Sequence, residues 1–516
     1  MPEKKVIVVG SGPGGLASAM LLAASGAKVT VIEREPVVGG RTSTLQSDGF
    51  SFDRGPTFFL FPEVLESIFE TCGYNLWDEV ELKRLDPNYR LMFEEGGSVN
   101  ASSNVESLKA EIAKISPDDA ANVDRYLADN RKKFESFRPI LESPFNKHRD
   151  VLKLPLLELL PLMRPFSSVD SDLSRYFKDP RTRLAFSFQS KYLGMSPFKC
   201  PSLFTILAFL EYEFGVFHPV GGCGAVSQAM ARIAEEMGVD IRLDEPVEEI
   251  LFNGKQARGV ATASAEYSCD ALVVNADFAN AMRDLVPNRL RNRWTDRKID
   301  KLKMSCSTYM LYLGVEGQFP ELPHHTVFLS KDYQQHLDSI DRDHVLPESP
   351  SLYVHNPSLI DPTLAPPGMS SLYVLVPVSH SHPNIDWESA KGAYREVVLD
   401  RLADVGIPDI RSRIRTETMY TPADWQSKMN LHKGATFSMA HSLDQMLSLR
   451  PHNRFEDLDG VYLVGGGTHP GSGLPVIYQS AKISSTLLAK DLGLNPAAVP
   501  ETAKESRWPS LATETA

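Results

Sequence analysis

The stretch KVIVVGSGPGGLASAMLLAASGAKVTVIE, residues 5–33, decides the fold of this chain of 516 residues. An apolar run at Val6–Val9 leads into a glycine-rich turn, and a segment rich in alanine and leucine follows before a second apolar run ends at Ile32. Short apolar runs on both sides of a helical segment predict a strand–helix–strand unit. Because a helical crossover joins parallel strands, we expect an α/β fold built on a parallel sheet.

Glycines lie where the first strand passes into the helix. Gly10, Gly12 and Gly15 form a GxGxxG pattern, and Gly14 lies inside it. These residues permit a tight turn and let backbone N–H groups approach a pyrophosphate at the helix N-terminus. Glu33 ends the second strand, where a carboxylate accepts hydrogen bonds from ribose hydroxyls. The context favours a Rossmann-like dinucleotide-binding domain over a glycine turn with only a structural role.

A second glycine pair, Gly39 and Gly40, follows Glu33 after a few residues, and Arg41 comes next. The glycines add backbone freedom, and the guanidinium can pair with a phosphate. This combination favours FAD over NAD as the dinucleotide.

The composition argues against several functional classes. Lys plus Arg number 54 and Asp plus Glu 66, and the resulting net charge of −12 argues against nucleic acid as the main partner. The five cysteines are scattered without a CxxC pair, so we expect neither disulfides nor a metal site, and a reducing cytoplasm fits best. The N-terminus lacks the apolar segment of a signal peptide, and no apolar run reaches the ~18–20 residues of a membrane-spanning helix.

Local patterns divide the chain into segments. Residues 106–215 are helical and charged in pattern, which predicts an inserted helical region. Residues 301–440 contain CSTYMLYLGV and SSLYVLVPVSH, whose β-branched and aromatic residues predict a mixed or antiparallel substrate-binding sheet. The tail, residues 494–516, is predicted to be disordered. The dinucleotide-binding domain is predicted from three segments, residues 1–105, 216–300 and 441–493.

Five short motifs carry a resemblance to a known family. GSGPGG is followed by ERE and GGR, then by FDRGPT at residues 52–57, and LVGGGTHPGSGLP spans residues 463–475. Together they resemble the FAD-dependent amine oxidase and carotenoid desaturase superfamily, and the last is similar to the C-terminal signature of bacterial and fungal-type phytoene desaturases. The resemblance covers roughly residues 5–492. It implies a GR2-type flavoprotein, in which a Rossmann-like FAD-binding domain carries a sheet-based substrate domain and an inserted helical region.

The resemblance implies further cofactor-binding residues. The superfamily clamps adenine through main-chain groups at the position of Val247, although an ordinary core valine is the alternative. Glycines and a hydroxyl of the C-terminal motif would reach the ribityl-phosphate region, and the helix that follows would point at the isoalloxazine. The residues added in this way are Arg34, Val247, Gly466, Gly467, Thr468 and Pro475.

The implied activity is the dehydrogenation of a long apolar isoprenoid such as phytoene, either by hydride transfer to the flavin and loss of a proton or through a carbocation-like intermediate. Asp150 matches an aspartate proposed as the acid–base residue in that family, although Lys153 stands where the family has an arginine. His469 would touch the isoalloxazine or shuttle a proton with a near-neutral pKa. The alternatives are a solvated helix-end carboxylate for Asp150 and a hydrogen-bonding role in the loop for His469.

The segment VLKLPLLELLPLMRPF, residues 151–166, combines leucines with prolines and with flanking Lys153 and Arg164. It predicts a peripheral patch on the inner face of the cell membrane, through which lipid-dissolved substrate enters. A buried helix that lines the domain is the alternative. Oxygen or a quinone is the expected final electron acceptor.

Other functions stay open at the level of sequence. A C30 diapophytoene desaturase and a later-step carotenoid desaturase or oxidase share these signatures. An amine oxidase is disfavoured, because its C-terminal motif lacks THPG. A non-catalytic isoprenoid carrier is the alternative from a different class, although a carrier does not need a complete flavin site.

Overall fold

The computed structural model describes residues 3–498 apart from residues 146, 148, 149, 151–160 and 163. The strands in chain order are β1 (Lys5–Val9), β2 (Lys28–Ile32), β3 (Thr44–Ser47), β4 (Phe50–Asp53), β5 (Phe59–Leu60), β6 (Leu82–Arg84), β7 (Tyr89–Phe93), β8 (Ser98–Ala101), β9 (Val216–Pro219), β10 (Asp240–Arg242), β11 (Val247–Asn253), β12 (Gln256–Thr262), β13 (Glu266–Ser268), β14 (Ala271–Val274), β15 (Ser307–Glu316), β16 (His325–Leu329), β17 (Leu352–His355), β18 (Met369–Val378), β19 (Ile414–Tyr420) and β20 (Val461–Leu463). The α-helices span Pro13–Ala24, Glu63–Thr71, Leu76–Glu79, Val105–Ala113, Pro117–Ala120, Val123–Glu142, Val169–Leu173, Pro180–Ala185, Ile206–Phe214, Cys223–Glu236, Phe278–Leu285, Asp296–Asp300, Tyr333–Asp338, Trp387–Arg401, Ile410–Arg413, Pro422–Met429 and Leu474–Asp491.

A five-stranded parallel sheet with the order β10–β2–β1–β14–β20 forms the centre of the first domain. Its inner strands are apolar and buried, as expected where helices or other layers cover both faces. One face packs on the helices Pro13–Ala24, Cys223–Glu236 and Leu474–Asp491. The other face packs on β11–β13 and the helix Phe278–Leu285. The predicted Rossmann-like α/β fold is confirmed.

A mixed seven-stranded sheet with the order β19–β15–β18–β17–β16–β7–β8 forms the second domain. Its pairs are antiparallel except β16 with β7, which run parallel. The strands β7 and β8 come from residues 89–101, so the segment predicted as the first FAD-binding part also completes the substrate sheet. The helix Trp387–Arg401 covers one face of this sheet through an apolar layer.

Helices between Val105 and Phe214 pack on the other side of β7, β8 and β16 through one large apolar cluster. Three-stranded β5–β9–β6 connects this helical part to the first domain. Among the described residues, no helix combines the length and the apolar character that crossing a bilayer requires.

Candidate functional site

The glycine-rich loop packs against the parallel sheet with no room for side chains. A Cβ atom on Gly15 would lie 2.0 Å from the carbonyl oxygen of Gly10, and one on Gly14 would lie 2.5 Å from Cγ1 of Val464. Gly10 itself has a φ of 94°, a conformation that favours glycine. The absence of side chains therefore lets the helix begin directly against the ends of β1 and β20.

Asn275 completes this loop, and sequence reasoning gave it no role in cofactor binding. Its backbone N–H donates to Val9 at 2.9 Å, and its side-chain amide donates to the carbonyl of Gly10 at 3.4 Å. A Cβ on Gly12 would lie 2.7 Å from that same amide nitrogen. The only sequence signal for Asn275 was its place directly after the apolar run of residues 271–274.

Two helices begin at this edge of the sheet without a side-chain cap. Gly12 precedes the helix Pro13–Ala24 and Gly473 precedes Leu474–Asp491, and neither helix has a side chain bonded to its first N–H groups. Pro475 lies in the first turn of the second helix. Uncapped N-terminal N–H groups and the helix dipole favour an anionic ligand, because both direct positive charge outward.

Glu33 lies beside the loop with its carboxylate buried. Oε2 accepts hydrogen bonds from the N–H and hydroxyl of Ser11, at 2.7 and 2.8 Å, and Oε1 accepts the N–H of Glu35 at 3.0 Å. A carboxylate offers about four acceptor positions, so capacity for a ribose hydroxyl remains. The N–H of Glu245 donates to the carbonyl of Glu33 at 2.8 Å. Val247 follows Glu245 by two residues and is half-buried. The bond between Glu245 and Glu33 therefore places Val247 near Glu33.

The second glycine pair contacts the first loop. The N–H of Gly39 donates to the carbonyl of Ser11 at 2.9 Å, and a Cβ on Gly40 would lie 3.4 Å from Cα of Gly12. Arg41 donates to the carbonyl of Thr436, and its charge interacts with Asp277. Burial lowers the pKa of Arg41 from its ordinary value, and Asp277 partly offsets this effect. The guanidinium is therefore a half-buried cation close to the glycine loops.

Arg34 points away from the glycine loops. Its Nε lies 3.0 Å from a carboxylate oxygen of Glu35, and its guanidinium donates to the carbonyl of Lys428. It thus connects the first domain to the end of the helix Pro422–Met429. A contact of Arg34 with a cofactor stays a prediction.

The C-terminal glycine loop is held from inside by Arg450, which sequence reasoning did not single out. This guanidinium is fully buried, and burial lowers its pKa to about 9. It donates to the carbonyls of Gly466 and Thr468 at 2.6 and 3.2 Å, and also to those of Met439 and Gln445. In the sequence it stands only as the first residue of RPHNR, residues 450–454, and its burial depends on the tertiary structure.

Thr468 donates its hydroxyl proton to the carbonyl of Pro451 at 2.6 Å. Its N–H donates to the carbonyl of Gly465 at 3.2 Å, so both donors of this residue are used inside the protein. Gly467 leaves no space for a side chain, since a Cβ there would lie 2.6 Å from Cβ of Phe278. A contact between the Thr468 hydroxyl and the cofactor stays a prediction.

His469 is fully buried and contacts the inserted helical region. Its Nε2 lies 3.1 Å from the carbonyl oxygen of Ser143, and its ring packs edge-on against Phe145 with centroids 4.8 Å apart. Burial lowers the pKa of His469 to about 3, which corrects the near-neutral pKa expected from sequence. The imidazole is neutral at pH 7, so this environment favours a structural role over proton shuttling.

Asp150 lies in a turn at the edge of the described helical region. Its carboxylate accepts the N–H of Lys147 at 2.8 Å, and its own N–H donates to the Lys147 carbonyl at 2.9 Å. The side chain is half-buried. Lys153 and most of the predicted membrane patch lie outside the described residues.

Four half-buried rings form what we call the aromatic surface: Phe58, Tyr192, Tyr353 and Phe437. Phe58 lies 5.2 Å from Tyr192 and 5.4 Å from Tyr353 between ring centroids. A Cβ on Gly194 would lie 2.7 Å from the ring of Phe437, which follows the residue bound by Arg41. The surface thus joins the helical region and the seven-stranded sheet close to Arg41, and such an apolar lining fits an apolar ligand.

These features fit FAD. Glycine loops that pack too closely for a Cβ bring two uncapped helix N-termini to one edge of the sheet, where their N–H groups can hold a pyrophosphate, and a buried carboxylate with spare acceptor capacity stands at the ribose position. Fold and site together define a two-domain dinucleotide-binding flavoprotein oxidoreductase.

Comparisons with known proteins identify the family. The model of the family described as flavin containing amine oxidoreductase matches residues 13–488. A 4,4'-diapophytoene desaturase (4,4'-diapolycopene-forming) of Methylomonas sp is 41% identical, over 94% of this chain and 95% of that protein. A zeta-carotene-forming phytoene desaturase of Myxococcus xanthus is 37% identical, over 96% of each chain. The chain therefore belongs to the flavin-containing amine oxidoreductases and, within them, to the carotenoid desaturases, and its cofactor is FAD.

A solved structure agrees at the level of fold. An oxidoreductase from Methanosarcina mazei has a TM-score of 0.62 at 18% identity, with 92% of this chain and 98% of that chain covered.

Proposed function

We propose that the protein removes hydrogen from C–C single bonds of an acyclic carotenoid precursor such as phytoene or 4,4'-diapophytoene. The observation that carries the proposal is the 41% identity, over 94% of this chain, to a 4,4'-diapophytoene desaturase. A hydrocarbon offers no polar group for recognition, so its binding depends on apolar contacts. The aromatic surface supplies such contacts beside the glycine loops.

The side chains of this protein bind and orient, whereas FAD, when bound, supplies the acceptor for two electrons that no side chain can supply. The two glycine loops and the helix N-termini would hold its phosphates, and Glu33 its ribose. The rings of the aromatic surface would exclude water and stabilise positive charge that develops on the polyene. Oxygen or a quinone would take the electrons afterwards.

We retain Asp150 as the proposed proton acceptor because it matches the aspartate of the resembled family; its carboxylate is half-buried and accepts the N–H of Lys147. Asp150→Asn should lower turnover per bound flavin, while the flavin content of the purified protein stays normal. Asp129, whose carboxylate accepts the hydroxyl proton of Tyr176 at 2.8 Å, offers a matched control. Equal turnover of Asp150→Asn and wild type would remove Asp150 from the mechanism.

Peripheral membrane contact is a further part of the proposal. Phe166 is 95% exposed, and Leu443 and Leu449 are exposed on either side of Leu447, which packs near the buried Phe145. Phe145 lies shortly before the leucine-rich segment of residues 151–166, and Phe166 ends that segment. Exposed apolar side chains of this kind mark interaction surfaces. We expect liposome flotation to recover the wild type and to lose the variant in which Leu156, Leu157 and Leu160 are glutamine; equal recovery would contradict the contact.

The experiment that tests the activity is expression in two hosts, one that makes phytoene and one that makes diapophytoene, followed by chromatography of the extracted pigments. Coloured polyenes in one host establish desaturation and give the substrate length. Colourless extracts from both, with flavin-loaded protein present, would contradict the proposed substrates and favour a later-step enzyme or an isoprenoid carrier. The variant Gly15→Ala, which should not retain FAD, serves as the inactive control in each host.

A further inference from the structure

Three buried histidines meet between the two domains. His218 lies on β9, His324 immediately precedes β16, and His355 ends β17. Ring centroids of His324 lie 4.6 Å from those of both His218 and His355. One ring nitrogen from each residue lies within 4.8 Å of the other two, and the side chains are 0%, 8% and 1% exposed. We call this group the histidine cluster.

The hydrogen bonds of His218 identify its free lone pair. Its Nε2 lies 2.9 Å from Oδ2 of Asp361, which also accepts the N–H of Gly221 at 2.7 Å. Because an ionised carboxylate can only accept hydrogen bonds, Nε2 of His218 carries the proton, and Nδ1 of His218 is an acceptor. That Nδ1 atom is buried and has no hydrogen-bond partner among the described residues. A histidine that donates to a carboxylate through one nitrogen and offers a lone pair on the other has the arrangement of a metal ligand.

His324 and His355 contact one another through their Nε2 atoms. Nε2 of His324 lies 3.0 Å from Nε2 of His355. Two nitrogens on one tetrahedral zinc ion stand about 3.3 Å apart, since each Zn–N bond is about 2.0–2.1 Å. The observed pair thus needs to open by only a few tenths of an ångström to share an ion.

The charges around the cluster suit a divalent cation. Asp53 and Asp361 are buried carboxylates that interact electrostatically with His218, and the imidazoles themselves contribute no negative charge. Two carboxylates balance an ion of charge +2 inside the protein, where an unbalanced charge is strongly unfavourable. His324 also lines a cavity of about 520 Å³ with Asn356 and Ile360, which provides a route of entry.

We propose that His218, His324 and His355 form a three-nitrogen site for a divalent first-row transition-metal ion, with Zn²⁺ as the ion of first choice. Neutral imidazoles suit zinc, and a three-histidine set leaves a fourth position for water. The ion ties β9, which leads into the helix Cys223–Glu236 of the first domain, to β16 and β17 of the second. Its role is to fix the substrate sheet relative to the FAD-binding domain.

The test uses FAD-loaded full-length protein, freed of metal with a chelator and then titrated with ZnCl₂ or CoCl₂. We expect about one equivalent to remain after gel filtration, and a Co²⁺ spectrum of tetrahedral nitrogen coordination at wavelengths beyond the flavin bands. Asp361→Asn, which removes the carboxylate partner of His218 and one of the two balancing negative charges while leaving the three histidines in place, should weaken affinity by ~10–100-fold. His355→Gln should abolish stoichiometric binding, whereas His344→Gln, in the separate group of His344, His380 and His382, should bind as the wild type does.

Failure of wild-type protein to retain Zn²⁺ and to develop the Co²⁺ spectrum would overturn the proposal without any variant having to fold. Retention of wild-type stoichiometry and affinity by His355→Gln would overturn it as well. Zn²⁺ should also raise the melting temperature of the wild type but not of His355→Gln. Both readouts are independent of the polyene substrate.

Discussion

Replacement of Gly15 by alanine is expected to remove FAD from the protein. The added Cβ would lie 2.0 Å from the carbonyl oxygen of Gly10, whereas real Cβ atoms essentially never approach a neighbour within 3.0 Å. The helix Pro13–Ala24 must therefore move from the end of β1 by about 1 Å. The N-terminal N–H groups of this helix would then no longer point at the pyrophosphate.

The magnitude follows from the hydrogen bonds that this shift weakens. A hydrogen bond to a charged group contributes about 1.5–3 kcal/mol, so the loss of two such bonds weakens binding by about 3–6 kcal/mol. Since about 1.4 kcal/mol corresponds to a factor of ten, the Kd for FAD should rise by about 10²–10⁴. Overpacking should also lower the free energy of unfolding by about 1–3 kcal/mol.

The assay is the ratio of flavin to protein absorbance after purification, followed by titration of FAD-depleted protein with FAD by fluorescence. Gly392→Ala is the matched control, because Gly392 lies inside the helix Trp387–Arg401 and a Cβ there meets no atom within 4 Å. That control should keep its flavin and gain about 0.5–1 kcal/mol of stability. Wild-type flavin content and affinity in Gly15→Ala would refute the reasoning.

Two further predictions concern buried charged and titratable groups. Arg450→Met leaves four carbonyl groups without their donor, so chemical denaturation should show a loss of about 3–5 kcal/mol, together with a lower flavin content. An unchanged denaturation midpoint would mean that the guanidinium does not hold the C-terminal loop. Burial raises the pKa of Glu211 to about 7 from 4.5, so the native state keeps a proton that the unfolded state has lost. The wild-type free energy of unfolding should consequently fall by roughly 3 kcal/mol more than that of Glu211→Gln as pH rises from ~4.5 to 7, and parallel pH profiles would contradict this.

Sequence alone determined the features that depend on short-range spacing. Gly10, Gly12 and Gly15 could be interpreted without coordinates, because a strand, a glycine turn and a helix follow each other within one local unit. Glu33 was recognisable for the same reason, since its place at the end of the second strand fixes its distance from the loop. Gly39, Gly40 and Arg41 then favoured FAD over NAD, and the family motifs agreed with FAD.

Tertiary structure decided what depends on residues far apart in the chain. The pairing of β7 with β16 places residues 89–93 in the substrate sheet, although the local pattern of that segment gave no indication of its partner. Burial also decided the state of His469, whose pKa falls because the helical region covers it. Arg450 and the histidine cluster became visible only when long-range packing brought their partners together. The spacing of residues within a local unit can be taken directly from the sequence, whereas burial and long-range contacts depend on how the whole chain packs.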